Sequence, residues 1–207
     1  MRSKGRCYVM LNTIDATLQS VTPTVMVPRH AAFEELCSPG HRILVAGNGI
    51  WLEVDRAWLY VRALIAPPLQ IAVPYGNVTS ELRLKFGKLP LAMVHQFIDE
   101  ARTRAPDECA GWVIWNESTG AWRLHMLQEL SADRDHVNTI LPILGESEHL
   151  VIDVHSHGNC HAYFSATDDH DDRGEAKITG VIGSFDQANV TAKFRVCVDG
   201  VFVSLPF

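Results

Sequence analysis

The stretch VIDVHSHGNCHAYFSATDDHDD, residues 151–172, decides how this sequence is read. Residues Leu150–His157 predict a strand. On it Leu150, Ile152 and Val154 face one way, and Val151, Asp153, His155 and His157 the other. Imidazoles at i and i+2 of a strand share a face and lie close enough to share one metal ion. A polar loop follows, carrying Ser165 and then Asp168. Imidazole plus carboxylate is a donor set that zinc accepts. Three protein ligands leave a fourth tetrahedral position for water, the arrangement of a catalytic zinc. Water on Zn²⁺ has its pKa lowered to about 7, so hydroxide is available near neutral pH.

Such a centre needs a base to take the proton of water and pass it to the leaving group. The best candidate is Glu108, in Pro106-Asp107-Glu108-Cys109-Ala110-Gly111, at the mouth of an apolar strand. Its carboxylate is expected to reach over the sheet edge where His155 and His157 end.

With these residues the chain resembles the JAMM metalloproteases, the catalytically competent MPN (JAB) domains. Their pattern is a glutamate, then H-[ST]-H, seven residues, S, two residues, D. Here His155-Ser156-His157 is followed by residues 158–164, then Ser165, Ala166-Thr167 and Asp168. Glu108-Cys109-Ala110-Gly111 matches the E-x-x-G context found in prokaryotic members. The resemblance covers residues 85–207. It implies an α/β fold of MPN (JAB) type, a mixed β-sheet flanked by helices, preceded by a β-rich region over 1–84. It implies one catalytic Zn²⁺ held by His155, His157 and Asp168, with Glu108 as general acid/base. Ser165 would orient the water or stabilise the tetrahedral oxyanion. The implied reaction is hydrolysis of a peptide or isopeptide bond at the C-terminal tail of a ubiquitin-like or sulfur-carrier protein. The two-part chain is also similar to the JAB-like component of the bacterial, often plasmid-borne PRTRC systems, whose gene sets include ubiquitin-like proteins. Many members have proline after the second histidine. Gly158 stands here instead, and the expected effect is on loop stiffness rather than on the metal.

Other readings of the same residues stay open. Ser165-x-x-Asp168 is also a helix capping box, which would place the ligand rigidly. Cys160 and His161 are extra ligands or, by the better reading, packing or substrate contacts. His170 and the surrounding aspartates read as a solvated turn, whose negative field would favour the cation and a basic substrate segment. Asp153 accepts a hydrogen bond that supports a metal ligand or is simply solvated. As a whole the chain could instead be a non-catalytic MPN scaffold, or a zinc amidohydrolase acting on a non-protein substrate.

Upstream, Leu91, Val94, Ile98 and Ala101 are spaced as one face of a helix between Pro90 and Pro106. Gly111–Trp115 and Trp122–Leu127 predict strands around the turn 116–120, and residues 137–148 are ambiguous. Ile178–Ser184 is a further strand. Lys193–Val198 and Val201–Leu205 form a hairpin on Asp199-Gly200. Residues 1–89 read as strands and turns without a long helical pattern. Arg42–Ala46 and Ile50–Val54 flank Gly47-Asn48-Gly49, and Ala57–Ile65 makes a third strand. Trp51, Trp58 and Tyr60 belong to a core or line a groove for a partner peptide.

Charge divides along the same line. Residues 1–89 carry 10 basic and 6 acidic side chains, and residues 90–207 carry 8 and 18. The acidic part is a poor match for nucleic acid, whose phosphates need cations. No apolar run reaches the ~18–20 residues a membrane helix needs. Asn12, Thr13 and Asp15 break the apolar start, against a signal peptide. Five widely spaced cysteines without a CxxC pair fit reduced thiols in a cytoplasmic protein. Oligomeric state and the role of residues 1–89 have no signal in the sequence.

Overall fold

In this computed structural model, which describes residues 11–68, 72–132 and 137–205, Asn12 caps the first element by accepting the Asp15 N–H on its side chain. That element, α1 (Thr13–Val21), stands where the sequence predicts only strands and turns. None of its residues is buried, and Ile14, Leu18 and Val21 are exposed. Ile14, Leu18 and Val21 recur at helical spacing, 4 and 3, so the sequence does carry its signature beside the Asn12 cap. The expectation concerning the charged start falls partly on residues 1–10, outside the described ones.

The chain divides into two compact units between Arg83 and Leu84. The first contains β1 (Thr24–Met26), β2 (Gly40–Ala46), β3 (Gly49–Asp55) and β4 (Leu59–Ala66). Together with β5 (Glu81–Leu84) they make a sheet of order β1-β2-β3-β4-β5. The predicted hairpin is present: β2 pairs antiparallel with β3, Ala46 opposite Gly49. Gly49 has φ +133°, and a Cβ there would lie 2.6 Å from the Ala66 carbonyl oxygen. Trp51, Trp58 and Tyr60 are buried core residues rather than a groove. Glu53 is buried among them. Arg42 pairs with it, the Tyr60 hydroxyl donates to it at 2.6 Å and the Leu36 N–H at 3.1 Å. A carboxylate removed from water needs this full set of partners.

In the second unit Pro90 stands at the N-cap of α2 (Leu91–Arg104). The buried stripe is Val94, Phe97 and Ala101, at spacing 3 and 4. Leu91, expected on that face, is exposed in the first turn. The strands that follow are β6 (Ala110–Asn116), β7 (Trp122–Met126), β8 (Gln128–Ala132), β9 (Val137–Ile140) and β10 (Glu148–Ser156). Then come α3 (Ala166–Asp171), a 3-10 turn (Asp172–Gly174), β11 (Ala176–Gly183), β12 (Thr191–Val198) and β13 (Val201–Leu205). Six strands form one sheet, in the order β13-β12-β11-β10-β6-β7. Strands β10 and β11 are parallel, joined by the crossover that carries α3, and the other pairs are antiparallel. Strands β8 and β9 form a separate two-stranded ladder. It resolves the start of the ambiguous stretch, but β8 itself has no counterpart in the sequence reading.

Gly111 fixes which face of the sheet carries α2. A Cβ there would lie 3.1 Å from the Phe97 ring, so the glycine of E-x-x-G lets helix and strand approach closely. On the opposite face Ala110 pairs with His155 and Trp112 with Asp153. The expected alternation of β10 fails at one point. The register shifts between Leu150 and Ile152, and Leu150 packs on the cluster of Ala110, Trp112, Ile114 and Leu127. A bulge therefore puts Leu150 on the histidine face, opposite to its predicted side.

Phe97 is fully buried. Phe97→Ala is expected to destabilise the second unit by about 3–5 kcal/mol, measured by urea denaturation followed by circular dichroism.

Candidate metal centre

Strand β10 ends where its chemistry begins. Ser156, the last strand residue, ties the segment to the loop before β6. Its backbone N–H donates to the Cys109 carbonyl at 2.8 Å, and its hydroxyl accepts the Cys109 N–H at 2.8 Å. Glu108 precedes Cys109, so the middle residue of His-Ser-His fixes the glutamate segment beside the imidazoles. The next residue, His157, donates its backbone N–H to Ile182 on β11 at 2.8 Å. The strand ends of β6, β10 and β11 are thus laced together by main-chain bonds.

The loop after His157 is pinned as tightly. Ser184 N–H donates to the Cys160 carbonyl at 2.7 Å and Phe185 N–H to Gly158 at 3.1 Å. Gly158 has φ +47°, and a Cβ would lie 2.1 Å from the Pro106 carbonyl oxygen. The departure from proline therefore does more than change stiffness. Proline is locked at negative φ, whereas this backbone needs the left-handed region and close approach to the segment bearing Glu108.

The imidazoles converge. His155 Nε2 lies 3.1 Å from His157 Nε2 and 3.5 Å from Asp168 Oδ1. The donor atoms of these three residues all lie within 4.8 Å of one another. Burial lowers the pKa of His155, outweighing the pull of Asp168 and Asp153. Burial lowers that of His157 as well, and the neighbouring His155 adds to it. Both shifts favour the neutral form, the one in which imidazole binds metal. The Tyr163 ring packs edge-on against His157, centroids 4.6 Å apart.

Asp168 is aimed by the start of α3. The capping box is formed: Ser165 N–H donates to Asp168 Oδ2 at 2.6 Å, and Asp168 N–H donates to Ser165 Oγ at 3.2 Å. One carboxylate oxygen is engaged in the cap, and the other faces His155. The capping and ligand readings of Ser165 and Asp168 are thus compatible in one geometry. Glu108, Ser165, His155, His157 and Asp168 line a single cleft of about 290 Å³, walled by Trp112, Leu127 and Tyr163. Glu108 is buried at the cleft wall and also borders a hollow that contains the Arg104–Glu129 ion pair. Cys160 lines the cleft, but among the described residues the converging group comprises only His155, His157 and Asp168.

Of the residues after Asp168, His170 and Asp171 are exposed, as a solvated turn would have them, but Asp172 is not. Asp172 is buried, bound by Arg195 at 2.7 Å and Lys177 at 3.2 Å. Arg195 also takes Asp169, and Lys177 also takes Asp153 at 2.8 Å and Glu175 at 3.1 Å. Two internal cations therefore offset much of the expected negative field, and Asp153 is an ion-pair partner rather than a solvated residue. Sequence reasoning missed Ser156, Lys177 and Arg195 as organisers of the site. Lys177 and Arg195 amid the mainly apolar residues of the strands AKITGVIG and TAKFRVCV were the available signal. Charges in buried strands require partners.

Residues 90–197 match the family described as prokaryotic homologs of the JAB domain. Residues 12–85 match a domain of unknown function, DUF2016. No curated protein matches the chain. Among the described residues, no helix is long and apolar enough to cross a membrane.

Gly158→Ala is expected to cost about 1–3 kcal/mol through backbone strain and the clash with Pro106, read as a lowered melting temperature. Burial by itself would raise the pKa of Asp172, but Arg195 and Lys177 outweigh it and hold the carboxyl below its ordinary 3.8. Its contribution is present above that value and lost as pH falls through the lowered folded value. Stability against urea should therefore drop on acidification below about pH 4, and Asp172→Asn should flatten that drop.

Proposed function

We propose that this chain, which belongs to the prokaryotic homologs of the JAB domain, is a zinc-dependent hydrolase of JAMM type. The observation that carries the reading is the convergence of His155, His157 and Asp168 in a cleft that Glu108 and Ser165 also line. The donor set fits zinc. Ligand atoms about 2.0–2.1 Å from a tetrahedral ion lie roughly 3.3 Å apart. The 3.1 Å and 3.5 Å separations from His155 are close to that spacing, and the third pair, His157 and Asp168, lies within 4.8 Å. A zinc ion held there would supply an acidified water near neutral pH and polarisation of the scissile carbonyl.

The residues of the chain divide the remaining work. Glu108, buried at the cleft wall, accepts the proton of the attacking water and hands it to the leaving amine. Ser165 has one hydroxyl lone pair in the helix cap. Its hydroxyl proton remains to be donated to the developing oxyanion. Tyr163 and Trp112 give the cleft apolar walls that exclude water around the reacting bond.

The substrate class is a peptide or isopeptide bond at the C-terminal tail of a ubiquitin-like or sulfur-carrier protein. An extended tail suits an open cleft bordered by Thr139 of β9, a strand of a two-stranded ladder whose edge can take an added strand. The thiols of Cys37, Cys109, Cys160 and Cys197 are free. They support a reducing, cytoplasmic setting.

Metal analysis of the purified chain should find about one zinc per molecule. Glu108→Gln should keep the metal and lower hydrolysis of a ubiquitin-like substrate by about 10²-fold or more, followed by mass spectrometry of the clipped tail. Zinc retained with no loss of turnover would remove Glu108 from the chemistry. Absence of any turnover in the wild-type protein would favour a scaffold.

A further inference from the structure

Arg195 on β12 grips the chain on both sides of Ser165–Asp168. Its guanidinium carbon lies 3.9 Å from the centroid of the Phe164 ring, the residue just before Ser165. The Phe202 ring from β13 covers it at 4.0 Å, completing a stack of ring, guanidinium and ring. One terminal nitrogen pairs with Asp169, the residue just after Asp168. The other donates to Asp172 at 2.7 Å, beyond the end of α3. Arg195 is itself buried. It touches none of the three converging donor atoms, yet its contacts bracket the capping box that aims one of them.

From this geometry we infer that Arg195 is the positioning residue of the metal centre, holding Asp168 and Ser165 over the sheet by gripping Phe164 and Asp169. The inference rests on the zinc-hydrolase reading above. The physical grounds are three. α3 has only six residues and none of them is buried, so packing of its own does not fix it. A short helix of this kind needs an outside hold. The planar guanidinium stacks on aromatic faces while its fork bonds carboxylates in its own plane, a geometry the compact lysine ammonium does not offer. Finally, Arg195 springs from a central stretch of the sheet, with Thr179 as its cross-strand partner on β11. The hold is therefore referenced to the rigid element that also carries His155, the next strand over. Contacts that orient a metal ligand typically alter affinity by about 10–100-fold.

The test uses the full chain and zinc alone, with affinity read by competition against a chromophoric chelator. Arg195→Met keeps an unbranched stem and removes the fork. It should weaken zinc binding by about tenfold or more. Asp169 is 45% exposed. Asp169→Asn is therefore expected to leave the fold intact, checked by circular dichroism, and should weaken binding in the same direction by a smaller factor. Arg195→Lys should recover only part of the loss. In an Asp168→Ala background, Arg195→Met should change the residual affinity less than about twofold, since the hold acts through Asp168. An unchanged affinity in Arg195→Met or Asp169→Asn overturns the inference. So does an equal loss with and without Asp168, which would mark a general structural role. If circular dichroism finds Arg195→Met unfolded, Asp169→Asn and Arg195→Lys decide the matter by the same criteria. A wild-type chain that takes up no zinc would instead overturn the zinc reading and this inference with it.

Discussion

The exchange of hydrogen bonds between Ser156 and Cys109 is the constraint on which the site depends. It joins the end of β10 to the segment before β6, and the two carry the imidazoles and Glu108 respectively. Both bonds are buried, so breaking them would leave main-chain groups without water or partner. Glu108 is held near the histidines by backbone pairing that any displacement of either segment would cost. Gly158 completes the arrangement by letting the following loop close against Pro106. The serine between the two histidines is thus a structural element of the centre, although its side chain points to no metal.

A second constraint concerns charge. The site face of the sheet carries Asp153, Asp168, Asp169 and Asp172 within a small region. Such a cluster would repel itself if left alone. Lys177 and Arg195 rise from β11 and β12 into it and take up Asp153, Asp169 and Asp172, leaving Asp168 with one oxygen toward His155. Buried ion pairs of this kind are poor sources of net stability, because desolvation offsets attraction. Their effect is on geometry: each carboxylate has one place to go. Part of the acidic bias of the second half of the chain is thus taken up inside the fold, while residues such as Asp99, Glu100, Glu117 and Asp186 remain exposed.

Much of the architecture was legible because it follows from local rules. The hairpins at Gly47-Asn48 and Asp199-Gly200, the helix between Pro90 and Pro106, and the strands around 116–120 each announce themselves through turn chemistry or periodicity. What escaped notice depended on other parts of the chain. Helix α1 is the exception: Ile14, Leu18 and Val21 carry helical spacing, but over only nine residues and without a buried face. The bulge at Leu150 reverses a face that strict alternation assigns, and nothing in residues 148–152 signals it. Strands β8 and β9 are close in sequence, with Ala132 opposite Val137, but no glycine or proline in residues 133–136 marks a turn between them.

The sequence by itself determined the chemistry: two histidines, a serine and an aspartate at fixed spacing, and a glutamate before an apolar strand. Donor type and spacing along one short segment are local properties, and a strand followed by a capped turn brings such residues together without outside help. Tertiary structure alone decided how that chemistry is held. Glu108 reaches the cleft because Ser156 binds Cys109 across 47 residues. Asp168 is aimed because Arg195, 26 residues beyond Asp169, anchors the segment that bears it. Those contacts are set by sheet order and register, which arise from the packing of the whole domain and have no local pattern from which they could be read.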